Sequence, residues 1–205
     1  TEKISKLLFS FSMPAFIAML ASGIYNIVDT IFVGKGIGTL AVGGIGVVFP
    51  IQTLYNAFSQ MISIGAASAI SRSLGEGNEE RANQVTTNAY ILTTIISVLL
   101  MIGSYFFINP LIYFFGSNEE LLSYARDYLL ISILSIPFNA IGLLSSAVFR
   151  AEGNIKISMI TVLIGALCNI ALDPLFIFLF NFGIKGSAFA TVIAQLLGSI
   201  FALFY

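Results

Sequence analysis

Six long apolar runs, separated by short polar segments, divide the chain. A helix needs about 20 mostly apolar residues to cross the hydrocarbon core of a bilayer, and each run reaches that length. The pattern therefore predicts an all-α, polytopic membrane protein with six transmembrane helices. The predicted spans cover approximately residues 7–33, 43–70, 89–108, 128–149, 157–180 and 184–205.

The composition agrees with a membrane protein and excludes several other classes. Of the 205 residues, 58% are hydrophobic and only 9% are charged, whereas a soluble domain carries about 25% charged residues. The formal charge of −1 gives no basic surface for nucleic acid. The chain has no His, which excludes His-based catalytic triads, and its single Cys168 excludes an intramolecular disulfide.

The basic residues predict how the chain sits in the membrane. Six of the nine Lys and Arg residues fall on one side of the predicted spans and three on the other. Because short cytoplasmic loops are rich in Lys and Arg, this split predicts a cytoplasmic N-terminus in a cell membrane. Residues 71–83 and 151–156 then lie inside, and residues 34–38 and 181–183 lie outside. The inner group is Lys3, Lys6, Arg72, Arg81, Arg150 and Lys156, and the outer group is Lys35, Arg126 and Lys185.

Two carboxylates, Asp29 and Asp173, lie within the apolar runs. An ionised Asp at the centre of a membrane helix costs about 2.5–3.5 kcal/mol on insertion scales, and such residues usually face a hydrated cavity and bind an ion or a proton. Because a helix rises by a fixed distance per residue, the position of a residue along its span gives its depth in the membrane. Further polar side chains, on these and other spans, lie at depths that overlap with those of the two carboxylates. These residues are predicted to line a cavity in the outer half of the bundle: Ser22, Asn26, Gln52, Asn56, Tyr128, Asn169, Thr191 and Gln195.

Each of these residues also has a purely structural interpretation. Asp29 could be an inert interfacial residue, and Asp173 could belong to a kink, because Pro174 leaves the carbonyl of Ile170 without its helical partner. The amide side chains could simply join helices by hydrogen bonds, and Tyr128 could be an interfacial anchor. Between the third and fourth spans, Ser117 followed by Glu120 matches a helix-capping box.

Several segments together resemble the multidrug and toxic compound extrusion (MATE) family of transporters. They are YNIVDTIFVGKGIGTLAVGGIGVVFPI (25–51), ISIGAASAISRSLGEGNEERAN (62–83), FRAEGNIKISMITVLIGALCNIALDPLFIF (149–178) and GIKGSAFATVIAQLLG (183–198). The resemblance implies twelve helices in two six-helix lobes. This chain would then be the N-terminal lobe, residues 1–205, of a longer protein and would need the C-terminal lobe as its partner.

The resemblance also implies a function. Members of this family export cationic, amphipathic, drug-like compounds in exchange for inward sodium or protons, by alternating access and without a cofactor. The family's coupling-cation site, a possible sodium site, would fall on Asp29, Asn169, Asp173 and Thr191, with Tyr128 nearby. Whether sodium or protons drive export stays open, and so does the identity of the drug.

Three other functions compete with drug export. A flippase for lipid-linked precursors would line its cavity with basic residues, and no Lys or Arg lies deep in a predicted span. A membrane-embedded enzyme has little support, because the chain lacks His, a Gly-x-Ser-x-Gly motif and a paired-aspartate metal motif. In a non-transporting membrane scaffold, the polar groups would only hold helices together.

Overall fold

The structure is a computed structural model that describes residues 4–205. Residues 1–3, with Lys3 of the predicted cytoplasmic end, lie outside the described residues, as does the side chain of Lys6. Eight α-helices follow one another, and the described part of the chain contains no strand. They are α1 (Ile4–Gly36), α2 (Thr39–Gly75), α3 (Glu79–Phe106), α4 (Ile108–Phe114), α5 (Glu119–Ser132), α6 (Ile136–Ala151), α7 (Ile155–Pro174) and α8 (Ile184–Phe204).

Six helical stretches are long and apolar enough to cross a membrane, which confirms the predicted fold class. Helices α5 and α6 form one span, joined by a 3₁₀ turn at Ile133–Ser135. The short helix α4 lies between the third and fourth spans. Large apolar side chains are exposed along the spans, for example Met19, Met61 and Leu99. Such surfaces suit lipid, because the bilayer replaces water as the solvent of these faces.

The helices extend beyond the predicted spans. The charged segment 71–83 is almost entirely helical, and only residues 76–78 separate α2 from α3. The hydropathy pattern locates only the part of a helix that lies within the membrane. Arg and Glu are good helix formers, so a helix can continue beyond that part into water. The Asn78 side chain caps α3 by accepting a hydrogen bond from the Arg81 backbone N–H at 2.9 Å.

The capping box predicted at Ser117 is wrong. The cap of α5 is Asn118, whose Oδ1 accepts a hydrogen bond from the Leu121 backbone N–H at 2.9 Å. The Ser117 hydroxyl donates instead to the backbone oxygen of Asn118. Asn caps a helix at least as well as Ser, so the neighbouring residue takes this role.

Proline disturbs the helices at the fourth and fifth spans. The 3₁₀ turn Ile133–Ser135 directly precedes α6. Pro137 lies in the first turn of α6, where a backbone N–H has no partner within the helix, so the missing N–H of proline costs no hydrogen bond there. Helix α7 ends at Pro174, and residues Leu175–Leu179 continue the span as a π-helix, called here the π segment. Single π turns inside helices often accompany functional sites, and this one starts two residues after Asp173.

Two clusters of buried apolar residues hold the helices together. The larger one joins α2 to α5 and α8, through residues such as Ile51, Leu129 and Ala188. The smaller one joins α2 and α3 to α6 at the opposite end, around Ile70 and Leu144. Helix α1 packs chiefly against α7, and α7 against α8. The polar residues of the first, fifth and sixth spans therefore meet along one seam.

Candidate cation site and its cavity

Asp29 and Asp173 meet where α1, α7 and α8 come together. Asp29 is 8% exposed and Asp173 is completely buried. The Ser187 hydroxyl, from the first turn of α8, donates a hydrogen bond to Asp29 Oδ1 at 2.6 Å. The two carboxylates lie close enough to interact electrostatically. Two buried like charges are unfavourable without a compensating positive charge, and no basic side chain of the described residues forms an ion pair with either.

Three oxygen atoms at this junction lack a donor among the described residues. They are both carboxylate oxygens of Asp173 and the side-chain oxygen of Asn169. The Asn169 amide itself donates to the Thr191 hydroxyl at 3.3 Å. Buried polar atoms without partners are rare in proteins, and an ion is one explanation for them. The arrangement provides oxygen ligands for a hard cation or acceptors for a proton. The predicted cation-site residues Asp29, Asn169, Asp173 and Thr191 are thus brought together.

The close approach of three helices produces this junction. A Cβ atom on Gly186 of α8 would lie 2.9 Å from the backbone carbonyl carbon and oxygen of Phe176 in the π segment. A Cβ atom on Gly36 of α1 would lie 2.6 Å from a side-chain methyl of Ile177. Only glycine permits the backbone-to-backbone contact at Gly186, and Gly36 leaves room for the Ile177 side chain. The two glycines let α1 and α8 pack closely against the π segment, next to Asp173.

Two adjoining cavities open beside the junction. The Asp29 cavity encloses about 280 Å³ and the Asn169 cavity about 240 Å³. Asp173 lines neither cavity and is buried behind them, whereas every other predicted site residue lines at least one. Asn26, Asp29, Gln52 and Tyr128 line the Asp29 cavity, Ser22 and Asn169 line the Asn169 cavity, and Asn56, Thr191 and Gln195 line both.

Some predicted residues are engaged in local or interhelical contacts as well. The Asn26 amide donates to the backbone oxygen of Ser22 at 2.7 Å, within α1. Asn56 accepts a hydrogen bond from the Asn139 amide, which links α2 to α6. Tyr128 is 3% exposed and lines the Asp29 cavity together with Gln52 and Thr191. Its burial in the cavity wall differs from the position of an interfacial anchor.

Sequence reasoning missed Ser187, Asn139 and Tyr25. Tyr25 lines both cavities and precedes Asp29 by four residues, so helical spacing could have placed it on the same face. Ser187 precedes Thr191 by four residues and could have been found in the same way. Asn139 gave no such signal, because its partner Asn56 is 83 residues away.

Comparisons with known proteins agree with this architecture. The MatE family model matches residues 14–175. The chain is 29% identical over 204 residues to the multidrug export protein MepA of Staphylococcus haemolyticus (strain JCSC1435), an alignment that covers 100% of this chain and 45% of that protein. It is 27% identical over 202 residues to MepA of Staphylococcus aureus (strain bovine RF122 / ET3-1), covering 98% of this chain and 45% of the relative.

Solved structures show the same likeness. A crystal structure of MATE in the bent conformation superimposes with a TM-score of 0.91 at 28% identity, covering 98% of this chain and 44% of that one. An outward-facing multidrug resistance MATE family transporter of the MOP superfamily gives a TM-score of 0.89 at 28% identity, covering 95% and 43%. The chain therefore spans less than half the length of the relatives that it matches.

Proposed function

Because this chain belongs to the MATE family, we propose that it forms one lobe of a secondary active multidrug efflux transporter. The transporter exports cationic or amphipathic compounds and takes up sodium or protons in exchange. The observation that supports this function best is the buried Asp29–Asp173 pair, which has surplus acceptor oxygens and adjoins a polar cavity. Its relatives in Staphylococcus species are multidrug export proteins.

The coupling cation binds at Asp29, Asn169, Asp173 and Thr191 in this proposal. Each sodium ion or proton compensates one negative charge and so reduces the repulsion between the two buried carboxylates. A ligand shifts a conformational equilibrium only by its difference in affinity between the two states. The cation therefore favours the state in which these four residues converge, and the drug favours the other. The π segment after Pro174 is, in this proposal, the part of the fifth span that repacks when the charge at Asp173 changes.

The drug pathway requires a second lobe. The relatives are more than twice as long as this chain, and polar helix faces at membrane depth are tolerated only against protein or water. We expect residues 1–205 alone to insert into a membrane without exporting drugs. Expression of this segment in a drug-sensitive host, beside the full-length protein, tests this. Resistance from the segment alone would mean that it acts without a C-terminal lobe, for instance as a dimer.

The direction of transport rests on the predicted orientation. The residues joining α2 to α3 lie in the cytoplasm, and those joining α7 to α8 lie outside. Single cysteines at Glu76 and Phe182, both exposed, can be introduced after Cys168 is replaced by Ala. A membrane-impermeant maleimide added to intact cells should label position 182 only. Labelling of position 76 instead would reverse the orientation.

Reconstitution of the full-length protein tests the transport function. Proteoliposomes loaded with ethidium are given an inward sodium gradient, an inward proton gradient, or neither. We expect one of the two gradients to drive ethidium export against its concentration, and an ionophore that dissipates that gradient to stop it. If neither gradient drives export of ethidium or of other amphipathic cations, the chain is not part of a cation-coupled drug exporter.

A further inference from the structure

A third cavity, called here the Arg150 cavity, lies between α1, α6 and α7 and encloses about 530 Å³. Its walls are mainly apolar and include Pro14, Ala18, Met19, Leu143, Met159 and Val162. Five residues line both this cavity and the Asn169 cavity, Ser22 and Gln60 among them, so the two cavities adjoin. The remaining polar lining residues are Ser146, Arg150 and Ser158. The cavity is thus amphipathic, with one cationic group and long apolar walls.

The Arg150 guanidinium is held in place by two buried serines. Its Nη1 donates to Ser146 Oγ at 2.7 Å and to Ser158 Oγ at 2.8 Å, and the two hydroxyls lie 2.6 Å apart. Ser146 and Ser158 are 3% and 4% exposed. They belong to α6 and α7, so the guanidinium has a fixed position between two helices.

These serines orient Arg150 but do not neutralise it. The two ion pairs among the described residues join Arg81 to Glu76 and Lys185 to Asp127. The hydrogen bonds of the Arg150 side chain within that part of the chain all come from Nη1. A guanidinium has five N–H donors in a planar fork that matches the oxygens of a phosphate group. Arg150 therefore offers charge and free donors to an anion.

The depth of Arg150 in the membrane indicates which anion is available. Arg150 is the last residue but one of α6, and α7 starts at Ile155. The predicted fourth span ends at residue 149, which places Arg150 at the predicted level of the lipid headgroups, so a phosphate at this depth belongs to a phospholipid. The apolar walls run from Arg150 along α1 and α7 in the direction of the hydrocarbon core. A phosphate group joined to an acyl chain matches both parts of this cavity.

We propose that the Arg150 cavity binds one anionic phospholipid molecule, with its phosphate on Arg150 and an acyl chain between α1 and α7. Its volume falls within the range of about 300–1,000 Å³ that is typical of small-molecule pockets. This site is separate from Asp29 and Asp173, and it exists whether or not the proposed drug export is correct. Occupation by lipid would bridge α1 to the α6–α7 pair at the predicted cytoplasmic end.

Native mass spectrometry of the full-length protein tests the site. The delipidated protein in detergent is titrated with palmitoyl-oleoyl phosphatidylglycerol. We expect one molecule to bind with highest affinity, and Arg150→Gln to weaken that binding at least about tenfold, because it removes the cationic partner of the phosphate. Lys156→Gln is the matched control, because Lys156 is an exposed basic residue in the first turn of α7 outside the cavity. It should bind the lipid like the unmodified protein.

A second variant separates lipid binding from a general effect of charge or folding. Ala18→Phe fills the apolar part of the cavity and leaves Arg150 unchanged, and it should weaken phosphatidylglycerol binding to a similar extent. Soluble glycerol 3-phosphate, at the same concentration as the lipid, should not displace it. Unchanged binding by either Arg150→Gln or Ala18→Phe would overturn the proposal. Displacement by glycerol 3-phosphate would also overturn it, because the site would then take phosphate from solution.

Discussion

The acidic junction, formed by Asp29 and Asp173, and the Arg150 cluster, formed by Arg150, Ser146 and Ser158, are both charged sites within the membrane-spanning lobe. They differ in hydrogen bonding, because across residues 4–205 the junction lacks donors and the cluster lacks acceptors. At the junction, two buried carboxylates receive one side-chain hydrogen bond, from Ser187, and three acceptor oxygens lack a donor within the described residues. In the Arg150 cluster, two serines accept from the same guanidinium nitrogen, and within the described part of the chain no buried side-chain atom of the cluster lacks a partner. The junction therefore lacks donors for its acceptor oxygens, whereas the Arg150 cluster has a surplus of donors, because its two serine acceptors both bind Nη1.

The largest effect is expected from removing charge at the junction. Asp173→Asn and Asp29→Asn should each lower gradient-driven export by the full-length protein at least about tenfold, since a unit charge near a bound cation contributes several kcal/mol in a site of intermediate dielectric. Ethidium efflux from proteoliposomes measures this. Asp127→Asn is the control, because Asp127 is exposed and paired with Lys185.

The two carboxylate variants also distinguish the functional and structural interpretations of each residue. Normal export by both would show that the junction does not couple transport. Normal export by Asp29→Asn alone would assign Asp29 an interfacial role and leave Asp173 as the coupling residue. Insertion and folding of each variant are checked by size-exclusion chromatography before transport is measured.

The next largest effect concerns the packing that forms the junction. Gly186→Ala would place a Cβ atom 2.9 Å from the Phe176 backbone, and overpacking of this kind costs about 1–3 kcal/mol. We expect a lower midpoint of thermal unfolding in detergent and weaker export. Gly198→Ala, on the same helix, meets its nearest neighbour only at 3.5 Å. That control should be neutral or slightly stabilising, because Ala has the higher helix propensity. Equal effects of both substitutions would contradict the role of close packing at the π segment.

Much of this architecture could be predicted from the sequence. The six spans follow from hydropathy alone, because lipid demands long apolar helices. Asp29, Asn169, Asp173 and Thr191 were among the polar residues that helical rise places at overlapping depths in the apolar runs, and the resemblance to the MATE family selected these four as a cation site. The structure brings these four residues to one junction, although their role in cation coupling stays a prediction.

Other features depend on tertiary packing and could not be predicted in this way. Helical spacing from Thr191 could have placed Ser187 on the same face of its helix, but it could not predict the hydrogen bond to Asp29, which is 158 residues away in the sequence. Pro174 predicted a bend but not the π segment, against which Gly36 and Gly186 pack closely. The Arg150 cavity was missed because Arg150, at the end of a span, was counted only as a topology signal.

A smaller effect is expected from the one hydroxyl that donates to the junction. Ser187→Ala leaves Asp29 Oδ1 without its donor, so the empty site becomes less stable, while a bound cation can still compensate the charge. The midpoint of thermal unfolding of the full-length protein should fall in ion-free buffer at pH 7.5, since an interhelical hydrogen bond in a membrane protein contributes about 0.6 kcal/mol. The rise in that midpoint on adding the coupling ion should become larger than in the unmodified protein.

The control for this variant is Ser199→Ala. Ser199 lies on the same helix and is equally buried, but its hydroxyl donates only to the backbone oxygen of Leu196. Its ion-dependent stabilisation should therefore match that of the unmodified protein. If Ser187→Ala and Ser199→Ala respond alike to the ion, Ser187 does not belong to the cation site.

The smallest effect is expected in the Arg150 cluster, because its hydrogen bonds are redundant. Ser158→Ala removes one acceptor from Arg150 Nη1 and leaves Ser146 in place, so the loss in unfolding free energy should stay below about 1 kcal/mol. Removing both serines leaves that nitrogen without an acceptor among the described residues, so the double variant should lose more than the sum of the two single variants. Thermal unfolding of the full-length protein measures all three. Strict additivity would mean that each serine stabilises the α6–α7 contact independently, and that the guanidinium is not the centre of the cluster.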